Sequence, residues 1–214
     1  MFEGIALKKV AVIIDGGFVK KQFKKQFKRN DVPTPAQVVA LGKNVVSKEE
    51  ELFRIYYYDC LPFEKDLKKP VSKGIFKNEA LIGSGKRYIT EIAHSDMVAY
   101  RSGELKFGGW FFKSENLDEI LKSGRKVTDD DFTPSFRQKR VDIKIGLDIA
   151  WLSIRKIVDR IVLIGGDSDF VPAMKLARIE GVQIVLVHLR NPINADMREH
   201  ADEVRNFDLT MLKP

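Results

Sequence analysis

The residues best placed to do chemistry in this sequence are carboxylates at the ends of apolar runs. Asp15 closes the run 9–14 (KVAVII), and Asp167 follows the run 161–164 (IVLI) across Gly165 and Gly166, with Asp169 two residues on. An uninterrupted apolar run of this length reads as a strand buried on both faces. If the two strands are neighbours in a parallel sheet, their aspartates meet at one crevice, where unneutralised carboxylates repel each other. A divalent cation relieves that repulsion, and a set of carboxylate and water oxygens suits Mg2+ or Mn2+ better than zinc. Sharing a proton is the other remedy, and it raises the pKa of one member.

The segment 139–148, KRVDIKIGLD, adds Asp142 and Asp148 near the start of a helix. Six residues apart, they lie about 120° around its axis from each other, so both cannot point equally well at one ion. One would bind and the other support. Lys144, four residues before Asp148, either neutralises it or faces a phosphate. Each aspartate also has a plainer reading. Asp15 could merely end a strand beside two glycines, Asp169 could cap a helix that carries Pro172 in its first turn, and Asp142 suits a helix amino terminus. Jointly, so many carboxylates at strand ends and the mouth of a helix form an arrangement that favours a bound cation.

The elements that must position these groups follow from periodicity. After Gly16 and Gly17, the residues Val19, Phe23 and Phe27 recur at intervals of four and predict a helix with one apolar face; Lys20, Lys21, Lys24, Lys25 and Lys28 take the other. That face could contact phosphates, though a charged face is commonly just solvated. Lys28 and Arg29 suit the helix's carboxyl end. A second strand, 52–58, is rich in aromatic and branched residues. In the segment 62–139, an irregular insertion, 97–101 and 104–107 flank Ser102-Gly103 and predict a hairpin turning there, with Trp110, Phe111 and Phe112 beyond. From Val141 an apolar row of Val141, Ile145 and Ile149, widened by Ile143, Leu147, Ala150, Trp151 and Ile154, predicts a helix buried over much of its surface. A helix over about 170–180, a cap at Gly181 and a buried strand 182–189 complete the pattern. Strands alternating with helices predict an α/β fold: a mostly parallel sheet, helices on both faces and one inserted hairpin. Right-handed crossovers then put the carboxyl ends of the strands, and with them Asp15 and Asp167, on the ligand-binding edge.

At 214 residues the chain fits one domain, 1–214, rather than two, and 44% hydrophobic with 31% charged residues is ordinary for a protein with a packed core. The single Cys60 cannot form an intramolecular disulfide, and neither a signal peptide nor a membrane span is visible, so the expected setting is the cytoplasm. A formal charge of +7 favours a polyanionic partner by long-range attraction without naming it. Residues 82–87, IGSGKR, fail as a P-loop because Ala80 and Arg87 stand where glycine and Ser/Thr are needed. No dinucleotide-binding glycine pattern follows the first strand. His94, His188 and His200 have no zinc-spaced partners, and Asp129, Asp130 and Asp131 read as a solvated loop. A DxD phosphatase loop is also disfavoured, because Gly17 takes the place of its second aspartate.

The stretches VAVIIDGG, QKRVDIKIGLDIA and DRIVLIGGDSDFVPAMKLARIEGVQIVLV, together with YRSGELKFGGW and the EHADE of residues 199–203, resemble the NYN domain family, in its LabA/DUF88-like branch of the PIN-like nucleases. The resemblance covers nearly all of the chain from about Lys9. It implies a PIN-like three-layer sandwich and metal-dependent hydrolysis of RNA, here expected to be single-stranded. It makes Asp15, Asp142, Asp167 and Asp169 the implied metal ligands and Asp148 a further acidic residue of the site. Lys144, Arg140, Lys20 and Lys24 are the expected contacts to RNA, and the aromatic segment around Tyr100 and Trp110 either stacks bases or packs within the hairpin. The chain departs from the resemblance at Gly16-Gly17-Phe18, where many relatives carry an asparagine. An RNA-binding or adaptor module with little cleavage is therefore the alternative expectation, and the chain could also pair with copies of itself.

Overall fold

The computed structural model describes residues 6–28, 31–77 and 79–212, apart from the side chain of Leu81; Arg29 lies outside them. Its centre is β1 (Lys8–Asp15), whose Val10, Val12 and Ile14 face one apolar layer while Ala11 and Ile13 face the other. Both sets are fully buried, which explains why the strand reads as unbroken apolar sequence rather than as an alternation. On the first face lie α1 (Gly16–Phe27), α2 (Pro35–Asn44) and α3 (Glu79–Ala93), and on the second α5 (Val141–Ile154), α6 (Val171–Ile179) and the short α7 (Ala195–Glu199). The result is three layers around a seven-stranded sheet, the PIN-like sandwich.

The sheet runs β6-β5-β2-β1-β7-β8-β9, where β2 is Glu50–Cys60, β5 Val98–Phe112, β6 Phe132–Lys139, β7 Arg160–Ile164, β8 Gln183–Val187 and β9 Glu203–Arg205. All neighbours are parallel except β5 and β6. From β1 the chain first builds outward through β2 and β5, then returns to the other side of β1 with β7. The switch point therefore falls between β1 and β7, which pair with Ile14 opposite Ile164.

Three expectations need correction. The hairpin exists, but Ser102-Gly103 is not its turn: β5 passes straight through both residues, pairing with β2 up to Gly103 and with β6 from Glu104. Gly103 is there for clearance, since a Cβ would lie 2.5 Å from Val141 Cγ2 and 2.6 Å from Cys60 Sγ. The chain reverses instead through residues 113–131, which include α4 (Leu117–Ser123). Asp131 is no solvated loop residue either: it is buried, takes Arg125 in a two-pronged ion pair at 2.7 and 2.8 Å, and caps its own turn through the Thr128 amide. Nor is α5 buried over much of its surface. Val141, Ile145, Ile149 and Leu152 enter the core, but Ile143, Leu147, Trp151 and Ile154 are 54–68% exposed along its outer side.

At the far, amino-terminal edge of the sheet, Glu50 is buried between Arg160 and Arg205, with Arg205 also bound to Glu203. This network clamps β2, β7 and β9 across the sheet and sits at the opposite edge from the aspartates. A small antiparallel ribbon, β3 (Leu67–Lys68) with β4 (Ile75–Phe76), follows β2.

Candidate metal and RNA site

Where β1 ends, Gly16 lets α1 start at once: a Cβ there would meet the Tyr57 hydroxyl and the Tyr58 carbonyl, both at 2.7 Å. Asp15 is the residue before this helix, and its Oδ1 accepts the Phe18 amide at 3.1 Å. The cap fixes the carboxyl and leaves its second oxygen unused by it. β7 ends in the same way. Asp167 Oδ1 accepts the Asp169 amide at 3.0 Å, capping a 3-10 turn, Ser168–Phe170, that leads into α6. The cap expected at Asp169 is thus made by Asp167, and Asp169 lies exposed within the turn. Phe18 packs where a Cβ on Gly166 would fall, at 2.6 Å, so the two strand ends interlock.

Asp142, in the first turn of α5, completes the group. Burial raises the pKa of Asp142, and repulsion from Asp167 and then Asp169 adds to it. Burial likewise pushes the Asp15 carboxyl up to about 6, helped by the charges of Asp142 and Asp59 and opposed by the Phe18 amide. Asp142 thus acts on Asp15, and Asp167 and Asp169 act on Asp142, while Asp15 and Asp167 line one cavity at the switch point. Asp148 is not part of this group. Its Oδ2 takes the Tyr58 hydroxyl at 2.6 Å and Arg101 Nε at 2.8 Å, so it ties α5 to β2 and β5.

The expected RNA contacts divide similarly. Lys24 is exposed and free to meet a phosphate. Arg140 is exposed beside Glu104, 3.4 Å away, in a left-handed conformation that starts α5. Lys20 is paired with the buried Asp59 at 2.5 Å, and Lys144 donates to the Ser102 carbonyl rather than to Asp148. Tyr100 donates to the Asp59 carbonyl and Trp110 to that of Lys68, so both rings pack within the fold.

Two side chains escaped sequence reasoning. Asp59, the penultimate residue of β2, follows Tyr58, the register partner of Asp15, and accepts the Tyr57 hydroxyl at 2.7 Å. The strand-end rule that marks Asp15 and Asp167 marks it too. Gln138, on β6, reaches across to donate to Asp59 at 3.3 Å, with its carbonyl oxygen 2.7 Å from where a Gly17 Cβ would lie. Its carboxamide fills the space that Gly17 leaves open, and nothing local in the sequence signals that.

The donors suit a hard divalent cation, being carboxylates whose mutual repulsion such an ion would relieve. Among the described residues, however, no three His, Cys, Asp or Glu side chains are drawn together tightly enough to close around one. A cavity of about 400 Å3 adjoins the cluster, lined by Asp15, Asp167, Lys21 and Asn191 among others.

Residues 9–208 match the NYN domain family. The chain belongs to that family. NYN domains are part of the PIN-like nuclease superfamily, so a nuclease fold carries these carboxylates. A solved structure from Vibrio parahaemolyticus, of a protein of unknown function, is similar over 97% of both chains with a TM-score of 0.54 at 13% identity, a likeness of fold alone. None of the curated proteins matches this NYN domain. No helix among its described residues is long and apolar enough to cross a membrane.

Proposed function

We propose that this NYN domain is a metal-dependent endoribonuclease acting on single-stranded RNA, with Asp15, Asp142, Asp167 and Asp169 as its cation-holding carboxylates. The observation that carries this reading is that Asp15 and Asp167 leave the neighbouring strands β1 and β7 and line one cavity, with the charge of Asp142 felt at Asp15, whose carboxyl is raised to about 6 by burial and acidic neighbours. Bound there, Mg2+ or Mn2+ would supply a water of lowered pKa and a counter-charge for the phosphate.

The protein's own groups do the rest. The two caps hold Asp15 and Asp167 in fixed orientations before any ligand arrives, so little reorganisation is needed on binding. Asp148 acts at one remove, holding α5, and hence Asp142, in place through Tyr58 and Arg101. Lys21 and Lys24 on α1, with Arg140, offer positive charge to the RNA backbone. Lys20 neutralises Asp59 and so limits the repulsion on Asp15.

The test is cleavage of labelled single-stranded RNA in Mg2+ or Mn2+ by the wild type and by Asp167→Asn. Equal cleavage by the two would exclude this site. The alternative, an RNA-binding module with little turnover, draws on the carboxylates not being gathered into a closed cage. It requires RNA affinity that survives Asp15→Asn and no turnover in any divalent metal. A cytoplasmic setting fits the single, buried Cys60. Self-association, if light scattering detects it, has an apolar face available in Ile143, Leu147 and Trp151.

A further inference from the structure

We propose that an aromatic cavity on the outer side of the insertion is a nucleobase subsite for the same RNA strand, an inference that rests on the RNA reading above. The cavity, about 350 Å3, lies between the segment after β2, the start of α3 and the β5–β6 pair, and is walled by Phe63, Phe76, Phe136, Pro62 and Leu105. That volume lies at the small end of ligand sites, enough for one base with its ribose rather than an oligonucleotide.

Its rings are held from behind. Phe63 packs on Phe136 with centroids 5.3 Å apart, and Phe76 meets the edge of Trp110 at 5.4 Å. Trp110 in turn is anchored through its indole N–H to the Lys68 carbonyl. The ring faces are therefore set before binding, which lowers the ordering cost of stacking a base on them. Phe136 remains 39% exposed at the mouth.

A path joins this cavity to the carboxylates. A neighbouring cavity of about 410 Å3 shares Pro62 and Leu105 with it and is lined further in by Lys20, Asp59 and Gln138. Asp59 is, after Asp142, a carboxylate whose charge acts on Asp15, and Gln138 reaches the first turn of α1. Only three residues separate Asp59 from Phe63, at most about 14 Å of extended chain.

The charged groups that line the aromatic cavity are mixed, Glu64, Asp66 and Glu79 with Lys65 and Lys77. Lys65 and Lys77, exposed in the lining itself, offer cations to an adjoining phosphate, whereas Arg137 and Lys139 alternate with Phe136 and Gln138 along β6 and so point to its other face. Aromatic faces flanked by cations along a groove are what a single strand needs: bases stack and the backbone stays in the positive field.

The test compares wild type with Phe136→Ala and Phe63→Ala, each checked for unchanged thermal unfolding. RNA affinity is read by fluorescence anisotropy in EDTA, and cleavage in Mn2+ is read on oligomers carrying one abasic nucleotide at successive positions. The expected result is a loss of affinity of roughly 5- to 150-fold in the variants, the range that base–aromatic stacking spans. In cleavage this is a rise in KM with little change in kcat. One abasic position near the scissile phosphate should impair wild type and not Phe136→Ala. Wild-type cleavage with unchanged affinity in both variants, and no abasic position singled out, overturns the subsite and leaves the nuclease standing. RNA binding that depends on Phe136 without cleavage in any divalent metal supports the subsite and removes the nuclease. Absence of both binding and cleavage overturns both.

Discussion

Replacing Asp15 by Asn removes a charge while keeping a good helix cap, because Asn and Asp are nearly equal at that position. The Asp15 carboxyl sits at about 6 in the folded protein against 3.8 for an ordinary aspartate, owing to burial and then to Asp142 and Asp59. A carboxyl whose folded pKa is raised holds its proton more tightly in the native than in the unfolded chain. The wild type therefore loses stability as pH rises from about 4 to about 6, and the loss is complete above that. At roughly 1.4 kcal/mol per pH unit, keeping Asp15 ionised in the metal-free fold costs at most about 3 kcal/mol. Solvent that reaches this partly exposed carboxyl trims the cost by as much as about 1 kcal/mol. The expected net gain for Asp15→Asn is about 2 kcal/mol at pH 8, vanishing near pH 4. For a chain of this size that is roughly 4–8 °C in Tm. Thermal unfolding by circular dichroism in EDTA at pH 4, 6.5 and 8 measures it. A gain that does not depend on pH, or a variant less stable than wild type at pH 8, would refute the assignment of Asp15 as a carboxylate strained by its neighbours. Mg2+ should then narrow the gap, since an ion held by the native state stabilises the wild type by mass action and the variant less.

Asp148→Asn should behave oppositely to Asp15→Asn: losing its charge-assisted bond with Arg101 destabilises by about 1–2 kcal/mol at neutral pH in chemical denaturation, while RNA cleavage falls less than in Asp167→Asn. Glu50→Gln removes the buried carboxylate that neutralises Arg160 and Arg205 and should cost roughly 3–5 kcal/mol in urea unfolding without changing RNA affinity. Burial by itself would raise the Glu50 pKa, but Arg205, the Ser47 amide and Arg160 override it and hold the carboxyl at about 2. The stability that Glu50 contributes is therefore complete above about pH 4.5 and drains away as pH falls toward 2, a slope that Glu50→Gln should lack in acid titrations of unfolding. Gln138→Ala should leave the fold intact but weaken RNA cleavage, because the carboxamide that reaches the start of α1 across the space beside Gly17 is lost; unchanged kinetics would show that it merely fills that space.

Sequence alone determined the parallel core and the strand ends. Residues 9–14 and 161–164 are buried on both faces, so their composition cannot alternate, and whatever follows them at the carboxyl edge must be polar. Asp15 and Asp167 were legible for that reason, and Asp59 would have been by the same rule. Composition could not show which side of α5 meets solvent, because apolar residues occur on every side of that helix and only the position of the sheet distinguishes Ile145 from Leu147. Tertiary structure alone decided that β1 and β7 are neighbours, that Arg101 from β5 takes Asp148 out of the cluster, and that Gln138 arrives from β6 to meet Gly17. Those are contacts between residues 47 to more than 120 positions apart. Such contacts arise where crossovers bring separate strands side by side, and spacing along the chain carries no trace of them. The glycine in Ser102-Gly103 shows the same limit from another side: its residue type announces a special backbone need, but only the approach of Val141 and Cys60 reveals that the need is clearance and not a turn.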